Sequence, residues 1–404
     1  MIAVRYVVLL LLMLVALYYA GRNFSKHGRI LSQAGIGAII VYTLNEGLRF
    51  GRGIDYNLYW QDYDYFSVGW DIHQNIGFYF IEKFFVYFDL PFQALVLFMS
   101  LMFILGTLFL MKRYLLVAMY ALPLWAIMSK GAVENMLRWY LAYSFILIGL
   151  SFLLSKDRKG TRLFVAFSAI GCTIHYAIIP IPIILYLILL RSKPIFTPFT
   201  SISLFALLAL LFETSMLLPV ADLINNYSFL FGTFSGYAEN ADFWLTNNAM
   251  GTSSSGLNKP SILIIVFILL FGYRCVEKAD PKFVFAYNLF VIGAIFYTVG
   301  NRIEIFKRFD MIFYFYGAIV LGFIIKSCKG KQYTASILSL FVIFLLLYNP
   351  LKDPFIRSSK LFMYVWDKNR ETPDAMLVEY LTDKYKTNKN YESKESRRKQ
   401  LRRD

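Results

Sequence analysis

Apolar residues run through this chain in long blocks separated by short polar clusters. Blocks of roughly 15–20 positions fall at 3–19, 30–46, 92–111, 114–128, 136–155, 201–220, 261–273, 283–300, 311–326 and 334–348, with a longer one at 163–190. A straight helical crossing of a bilayer takes about 20 such residues, and lipid admits only backbone whose polar groups are satisfied within the span. The pattern predicts an all-α, polytopic membrane protein of about twelve transmembrane helices, with the block at 163–190 counted as two arms. The block at 3–19 carries only Arg5 ahead of its apolar run and no small-residue cleavage site, so it reads as a retained helix and not a signal peptide.

Lys and Arg in short loops set the direction of insertion. Arg22, Lys26 and Arg29 follow the first block, Lys112 and Arg113 the third, and Lys156, Arg158, Lys159 and Arg162 the fifth. Arg191 and Lys193, then Arg274, Lys278 and Lys282, then Lys326, Lys329 and Lys331 continue the series. These clusters belong in the cytoplasm. Segment 45–90 differs: Arg49, Arg52 and Lys83 stand against Glu46, Asp55, Asp62, Asp64, Asp71, Glu82 and Asp89. Segments 45–90 and 221–259 are therefore expected as two large extracytoplasmic loops, with the N-terminus on the same outer side.

Both ends of the block at 163–190 are basic, yet it is too short for two full crossings, which need about 40 residues. Each arm of a hairpin would have about 14 residues and reach about 21 Å, short of the ~30 Å hydrocarbon core. The apex, 171–176, would sit below the outer surface, where irregular backbone survives only inside protein or beside a wet cavity. Pro180 and Pro182 favour a broken helix just beyond it. The expectation is a short broken, re-entrant hairpin beneath an outward crater, with His175 at its floor.

Composition sharpens this picture. The chain has 404 residues, 58% hydrophobic and only 17% charged, with a formal net charge of +15. A soluble domain is nearer a quarter charged, so a soluble enzyme is excluded on composition. The cationic excess is explained by cytoplasmic loops, and no basic stretch is interleaved with aromatics as in a nucleic-acid module. Cys172, Cys275 and Cys328 form no close pair, against both a disulfide scaffold and a zinc site. Segment 351–404 is a polar, basic C-terminal tail, expected to be partly disordered, following a membrane domain at 1–350. With twelve crossings the tail lies outside; with one fewer it lies inside.

The informative charges are arginines at outer helix ends: Arg49 and Arg52 near the second block, Arg138 at the start of the fifth, and Arg302 and Arg308 between two late blocks. Each could be an interfacial arginine that snorkels or pairs locally, with Glu134, Glu304 and Asp310 near enough to serve. Alternatively, they gather on one face, where guanidinium groups would grip a pyrophosphate bidentately. His175 is either a packed, hydrogen-bonded side chain or a general base for a hydroxyl. Asp55 follows Gly53, whose turn could aim it toward the membrane; Glu46 and Glu134 could act as base or arginine partner. Asp62, Asp64 and Asp71 match no calcium-loop frame and read as a solvated loop. Phe50, Tyr56, Tyr59, Trp60, Tyr63, Tyr65, Phe66 and Trp70 form either an interfacial belt or a set of flat faces for sugar rings.

Taken in order, these residues resemble the EpsG/Wzy-type polysaccharide polymerases of bacterial envelopes. The end of the second block reads Leu48-Arg49-Phe50-Gly51-Arg52-Gly53-Ile54-Asp55-Tyr56-Asn57-Leu58-Tyr59, similar to that family's l-R-x-x-x-G-x-D-Y-x-x-Y. Asn135, Arg138 and Ala142 match its N-x-x-R-Q-x-x-A, although Trp139 replaces Gln. Ile174-His175-Tyr176-Ala177 fits the family's histidine segment, and 302–316 its late arginine-bearing loop. Asn75-Ile76-Gly77-Phe78 lacks the Glu that often precedes Gly-Phe there.

The resemblance implies a metal-independent glycosyltransferase in the bacterial cytoplasmic (inner) membrane, active site outward, without cofactor. It would polymerise undecaprenyl-pyrophosphate-linked oligosaccharide repeats into O-antigen, capsule or exopolysaccharide. That lipid-linked oligosaccharide would be both donor and acceptor; membrane lipids and a chain-length regulator would be its partners, with no nucleic acid. Arg49, Arg138, His175 and Asp55 would be catalytic, and Arg52, Arg302, Arg308, Tyr56, Tyr59, Glu134 and Asn135 would bind substrate. The absence of P-loop and Rossmann glycine patterns agrees with a donor that is no nucleotide sugar. A lipid-linked sugar ligase is the near alternative. A flippase is the farther one, since transporters place charges near the midplane and often show internal repeats, and no repeat is visible here.

Overall fold

A computed structural model describes residues 1–69, 75–155, 159–212, 222, 259–277, 279–300, 304–327 and 333–376, apart from 369 and 374. The expected outer loop at 221–259 lies almost wholly outside the described residues, as do Asp71, His73, Arg302, Cys328 and the tail beyond 376.

The described chain is helical, and an isolated antiparallel bridge pairs Arg49 with Tyr364. It divides into two compact units: Met1–Leu187 with the described residues from Leu321 onward, and Ile188–Val320. Among the described residues, five helical stretches are long and apolar enough to cross a bilayer: Ile2–His27, Phe92–Met111, Pro281–Gly300, Lys307–Ser327 and Ile337–Ile356. Shorter apolar helices at Leu137–Leu153, Gly160–Ile174, Tyr176–Leu189, Pro198–Leu211 and Pro260–Val276 accompany them. This is a multi-pass helical membrane protein.

In the first unit, α1 (Ile2–His27) packs on α2 (Gln33–Gly47) and α6 (Ala118–Asn135). Its other face leaves Val4, Val8, Leu11, Leu12, Val15 and Tyr19 exposed, as suits a helix against lipid. α5 (Phe92–Met111) lies between α2 and α7 (Leu137–Leu153), and α7 pairs along its length with α8 (Gly160–Ile174). The last helix of the unit, Tyr333–Ile356, returns to α1. Local chemistry sets these boundaries. Ser32 caps α2 by accepting from Gly35 N–H at 3.2 Å. Gly28, at φ 66°, closes α1 in the left-handed conformation glycine favours.

Three expectations are corrected or refined. The segment at 45–90, expected as an outer loop, is largely helical: it forms α3 (Ile54–Ser67) and α4 (Ile76–Tyr87). The block expected at 114–128 becomes α6, which ends seven residues later and carries Lys130 and Glu134 in its last turns. The re-entrant hairpin does not close. α8 stops at His175, which is extended (φ −149°, ψ 104°); a single 3-10 turn at Tyr176–Ile178 follows, then α9 (Pro180–Leu189), which does not pack back along α8. Pro180, lacking an N–H, opens α9 instead of breaking a continuous helix. The segment is thus one helix broken at His175.

The second unit contains α10 (Pro198–Leu211), α11 (Lys259–Val276), α12 (Pro281–Gly300) and α13 (Glu304–Phe313). α12 is its hub, packed by the other three and buried along most of its length.

Candidate functional site

The turn between α2 and α3 presents the first two arginines. Gly53 adopts φ 93°, ψ 154°, a region essentially confined to glycine, where any other residue would cost about 1–3 kcal/mol. A Cβ there would also lie 2.9 Å from Cα of Asn135. Buried Asn57 holds the turn by donating to the carbonyls of Gly51 at 3.1 Å and Gly53 at 2.9 Å. The turn is thereby seated against the α6–α7 junction, where Met136 breaks the helix.

Arg49 and Arg52 then diverge. Arg49 is fully buried and donates to backbone carbonyls, that of Glu46 and, at 3.4 and 3.5 Å, those of Val133 and Glu134. The latter two belong to the C-terminal turn of α6, whose carbonyls carry the negative end of the helix dipole. Arg52 instead donates to Glu134 Oε1 at 2.8 Å and to the Met363 carbonyl at 3.4 Å. Its guanidinium lies 4.8 and 4.6 Å from the ring centres of Tyr6 and Tyr364, a desolvated cation between two aromatic faces.

Beside it, Lys130 sits 2.5 Å from Glu46 Oε1 and 3.0 Å from Glu134 Oε1. Buried charges persist only when paired and hydrogen-bonded, so three cations and two carboxylates make a single mutually compensating cluster. Arg52, Lys130, Glu134 and Asn135 line a cavity of about 220 Å³, together with Asn349 and Asp353 from the last helix of the unit and Arg357 just beyond its end. That helix runs on through Pro350 to Ile356.

Segment 357–376, expected as tail, packs over this cluster. Phe50 N–H donates to Met363 carbonyl and Val365 N–H to Leu48 carbonyl, both at 3.0 Å. The Tyr364 hydroxyl donates to Asn45 Oδ1 at 2.7 Å, and Asp367 pairs with Arg5. Residues from both ends of the chain thus meet at the end of the unit that holds Arg52.

A second cluster lies at the start of α7. The Arg138 guanidinium faces the rings of Tyr59 and Phe78 at 5.3 and 5.4 Å. Trp139 meets the His175 ring edge-on at 5.0 Å. The N-terminus of α4 docks on the break in α8: Asn75 Oδ1 accepts from Tyr176 N–H at 2.9 Å, and a Cβ on Gly77 would lie 2.5 Å from Thr173 Oγ1. On the same helix Glu82 is 1% exposed, and its Oε1 has no hydrogen-bond partner among the described residues. Burial pushes its carboxyl up to about 8; Arg138 opposes the rise and Asp62 adds to it. Burial also raises the Asp62 carboxyl, again against Arg138.

The structure brings Arg49, Arg52, Glu134, Asn135 and Asp55 to one junction; Asp55 N–H faces Asn135 Oδ1 at 3.4 Å. Arg138, His175 and Tyr59 form the second cluster. Tyr56 is buried, its hydroxyl donating to Gln93 Oε1 at 3.0 Å, and is a packing residue rather than an open sugar platform. Arg308 belongs to the second unit, on α13. Sequence reasoning missed Lys130, Glu82 and Tyr364. The i,i+4 spacing of Lys130 and Glu134 was a usable signal; Tyr364 left none. Among the described residues, no group of three or more His, Cys, Asp or Glu could hold a metal ion.

The model of the EpsG family matches residues 36–363. The match includes both clusters and stops just before Tyr364. No curated protein and no solved structure matches the chain.

Proposed function

The chain belongs to the EpsG family, and from that premise we propose that it polymerises undecaprenyl-pyrophosphate-linked oligosaccharide repeats at the outer face of a bacterial cytoplasmic membrane. At the coarser level it is a membrane protein of the polysaccharide-polymerase type.

The observation that carries the finer reading is the pair of arginine clusters flanking Met136. Arg52 and Arg138 stand on either side of one helix junction, each held over aromatic faces instead of being spread into solvent. In the reaction, the bond from the sugar anomeric carbon to the pyrophosphate oxygen breaks. A bond to an acceptor hydroxyl forms, and the hydroxyl proton leaves to a base. Negative charge grows on the pyrophosphate, where guanidinium donors stabilise it. Arg52 and Arg138 are assigned that role, with Arg302 and Arg308 as further candidates. Arg49, spent on the α6 carbonyls, is a positioning residue that sets the junction. His175, at the break in α8, is the first candidate for the base; Asp55, in the first turn of α3, is the second.

Purified protein reconstituted with lipid-linked repeat units tests the reading. A ladder of products is expected. A single transfer to another acceptor would instead indicate a ligase, and movement across the bilayer without a new linkage a flippase.

A further inference from the structure

Beyond the arginine clusters, the segment that covers Arg52 also builds one wall of a second, more open cavity. Its volume is about 660 Å³, within the range of ordinary ligand pockets. Phe50 and Trp60 supply one side; Trp366, Lys368, Arg370 and Glu371 supply the other. The walls combine flat aromatic surface with charged edges. Trp60 is stacked parallel to Phe92 at 6.5 Å and edge-on to Phe50 at 5.2 Å, so its plane is fixed. Trp366 is stacked parallel to Tyr364 at 4.9 Å and is nevertheless 48% exposed. The Trp366 indole therefore presents a fixed, half-exposed aromatic face to the groove. Lys368 and Arg370 are exposed beside it, and Glu371 is held by Lys360 at 2.6 Å.

We propose that this groove binds the saccharide portion of a lipid-linked chain. This deepens the polymerase reading above and rests on it. Pyranose rings have apolar C–H faces and a rim of hydroxyls. Two immobilised indoles with ammonium, guanidinium and carboxylate groups at their edges complement both features. A lipid tail would meet charges along one whole wall, and a free pyrophosphate would meet indoles on both. The location agrees with the chemistry. Phe50 lies two residues before Arg52, and Tyr364, which covers Arg52, is the residue on which Trp366 stacks. A glycan seated here would extend away from a headgroup held at Arg52. Phe50 and Trp60 lie within the matched family region, while Trp366, Lys368, Arg370 and Glu371 lie beyond it.

The test uses full-length protein in nanodiscs. The probe is the reducing oligosaccharide of one and two repeats, released by mild acid from the lipid-linked pool of the parent cells. Saturable binding to the unmodified protein is expected, weaker by about tenfold in Trp366→Ala and within about twofold in Trp366→Phe, on the basis that tenfold corresponds to loss of one good contact. Because Trp366→Ala also removes a stacking partner of Tyr364, a second arm uses Lys368→Cys, an exposed position. Its modification by a bulky maleimide should abolish binding, while the same reagent leaves the parent protein unaffected. No saturable binding to the parent, or full binding after the groove is blocked, would overturn the proposal. Binding that behaves as expected in a protein that makes no polymer would sink the polymerase reading and leave the groove standing.

Discussion

Arg52 donates to Glu134 Oε1 at 2.8 Å, joining a turn after α2 to the end of α6 across 82 positions of sequence. The same oxygen lies 3.0 Å from Lys130. One carboxylate therefore holds two cations at the cavity, and both are fixed before any substrate arrives. The polymerase reading depends on that preorganisation.

Breaking the buried pair should be expensive. Lys130 and Glu46 are each almost fully buried, and removing one partner of such a pair costs about 3–5 kcal/mol. Lys130→Met, which leaves Glu46 without a cation, is expected to lower the detergent unfolding temperature strongly. Lys130→Met combined with Glu46→Leu should recover much of the loss. Equal stability of the single and double variants would show that the pair is not coupled.

Arg49 and Arg52 should respond differently to Lys. Arg52→Lys and Arg138→Lys are expected to cut the polymerisation rate by about 10²-fold, the scale for losing one charge-stabilising donor, with little change in stability. Arg49→Lys should act chiefly on stability, since its contacts are the carbonyls of α2 and α6. Rate and melting curves measured side by side separate the two outcomes.

Glu82 gives a pH dependence with a definite sign. Its carboxyl is raised from 4.5 to about 8, mainly by burial, with Arg138 opposing and Asp62 reinforcing. The folded state therefore favours the protonated form. Stability from this group is fully present below pH ~4.5 and is lost as pH rises toward ~8. Glu82→Gln should flatten that decline, being more stable than the parent at pH 8–9. An unchanged slope in the variant would show that Glu82 is ionised throughout.

The identity of the base separates by substitution. General-base help is typically worth about 10²–10⁴-fold. His175→Gln is expected to lose activity on that scale and Asp55→Asn much less. The reverse order would transfer the role to Asp55, and full activity in both would place the proton transfer elsewhere.

Much of the helical framework was legible because apolar runs of membrane length have few alternative folds. What escaped was set by contacts remote in sequence. α6 was expected to end near position 128 because Lys130 and Glu134 interrupt the apolar run; inside the fold each charge has a partner, and the helix continues through them. Segment 357–376 looked like tail because its polarity hid Leu361, Phe362, Met363 and Tyr364, which are buried, Phe362 on Tyr6, Met363 on Phe50 and Tyr364 over Arg52. Arg49 and Arg52 are alike by composition and spacing. Only the placement of the α6 carbonyls separates them: Arg49 donates to those carbonyls, and Arg52 lines a cavity. The aromatics at 50–70 were read as one set, yet Tyr56 is packed inside while Trp60 faces a groove.

The central claim is that each new glycosidic bond is made by displacing a polyprenyl pyrophosphate at the arginine-lined junction. It is tested most directly by counting both products in liposomes supplied with lipid-linked repeats and purified protein. One undecaprenyl pyrophosphate is expected to be released per linkage formed, in a ladder of lengthening chains, with both quantities falling together in Arg52→Lys and Arg138→Lys. Linkages without stoichiometric pyrophosphate-lipid release, or undiminished release in both arginine variants, would contradict it.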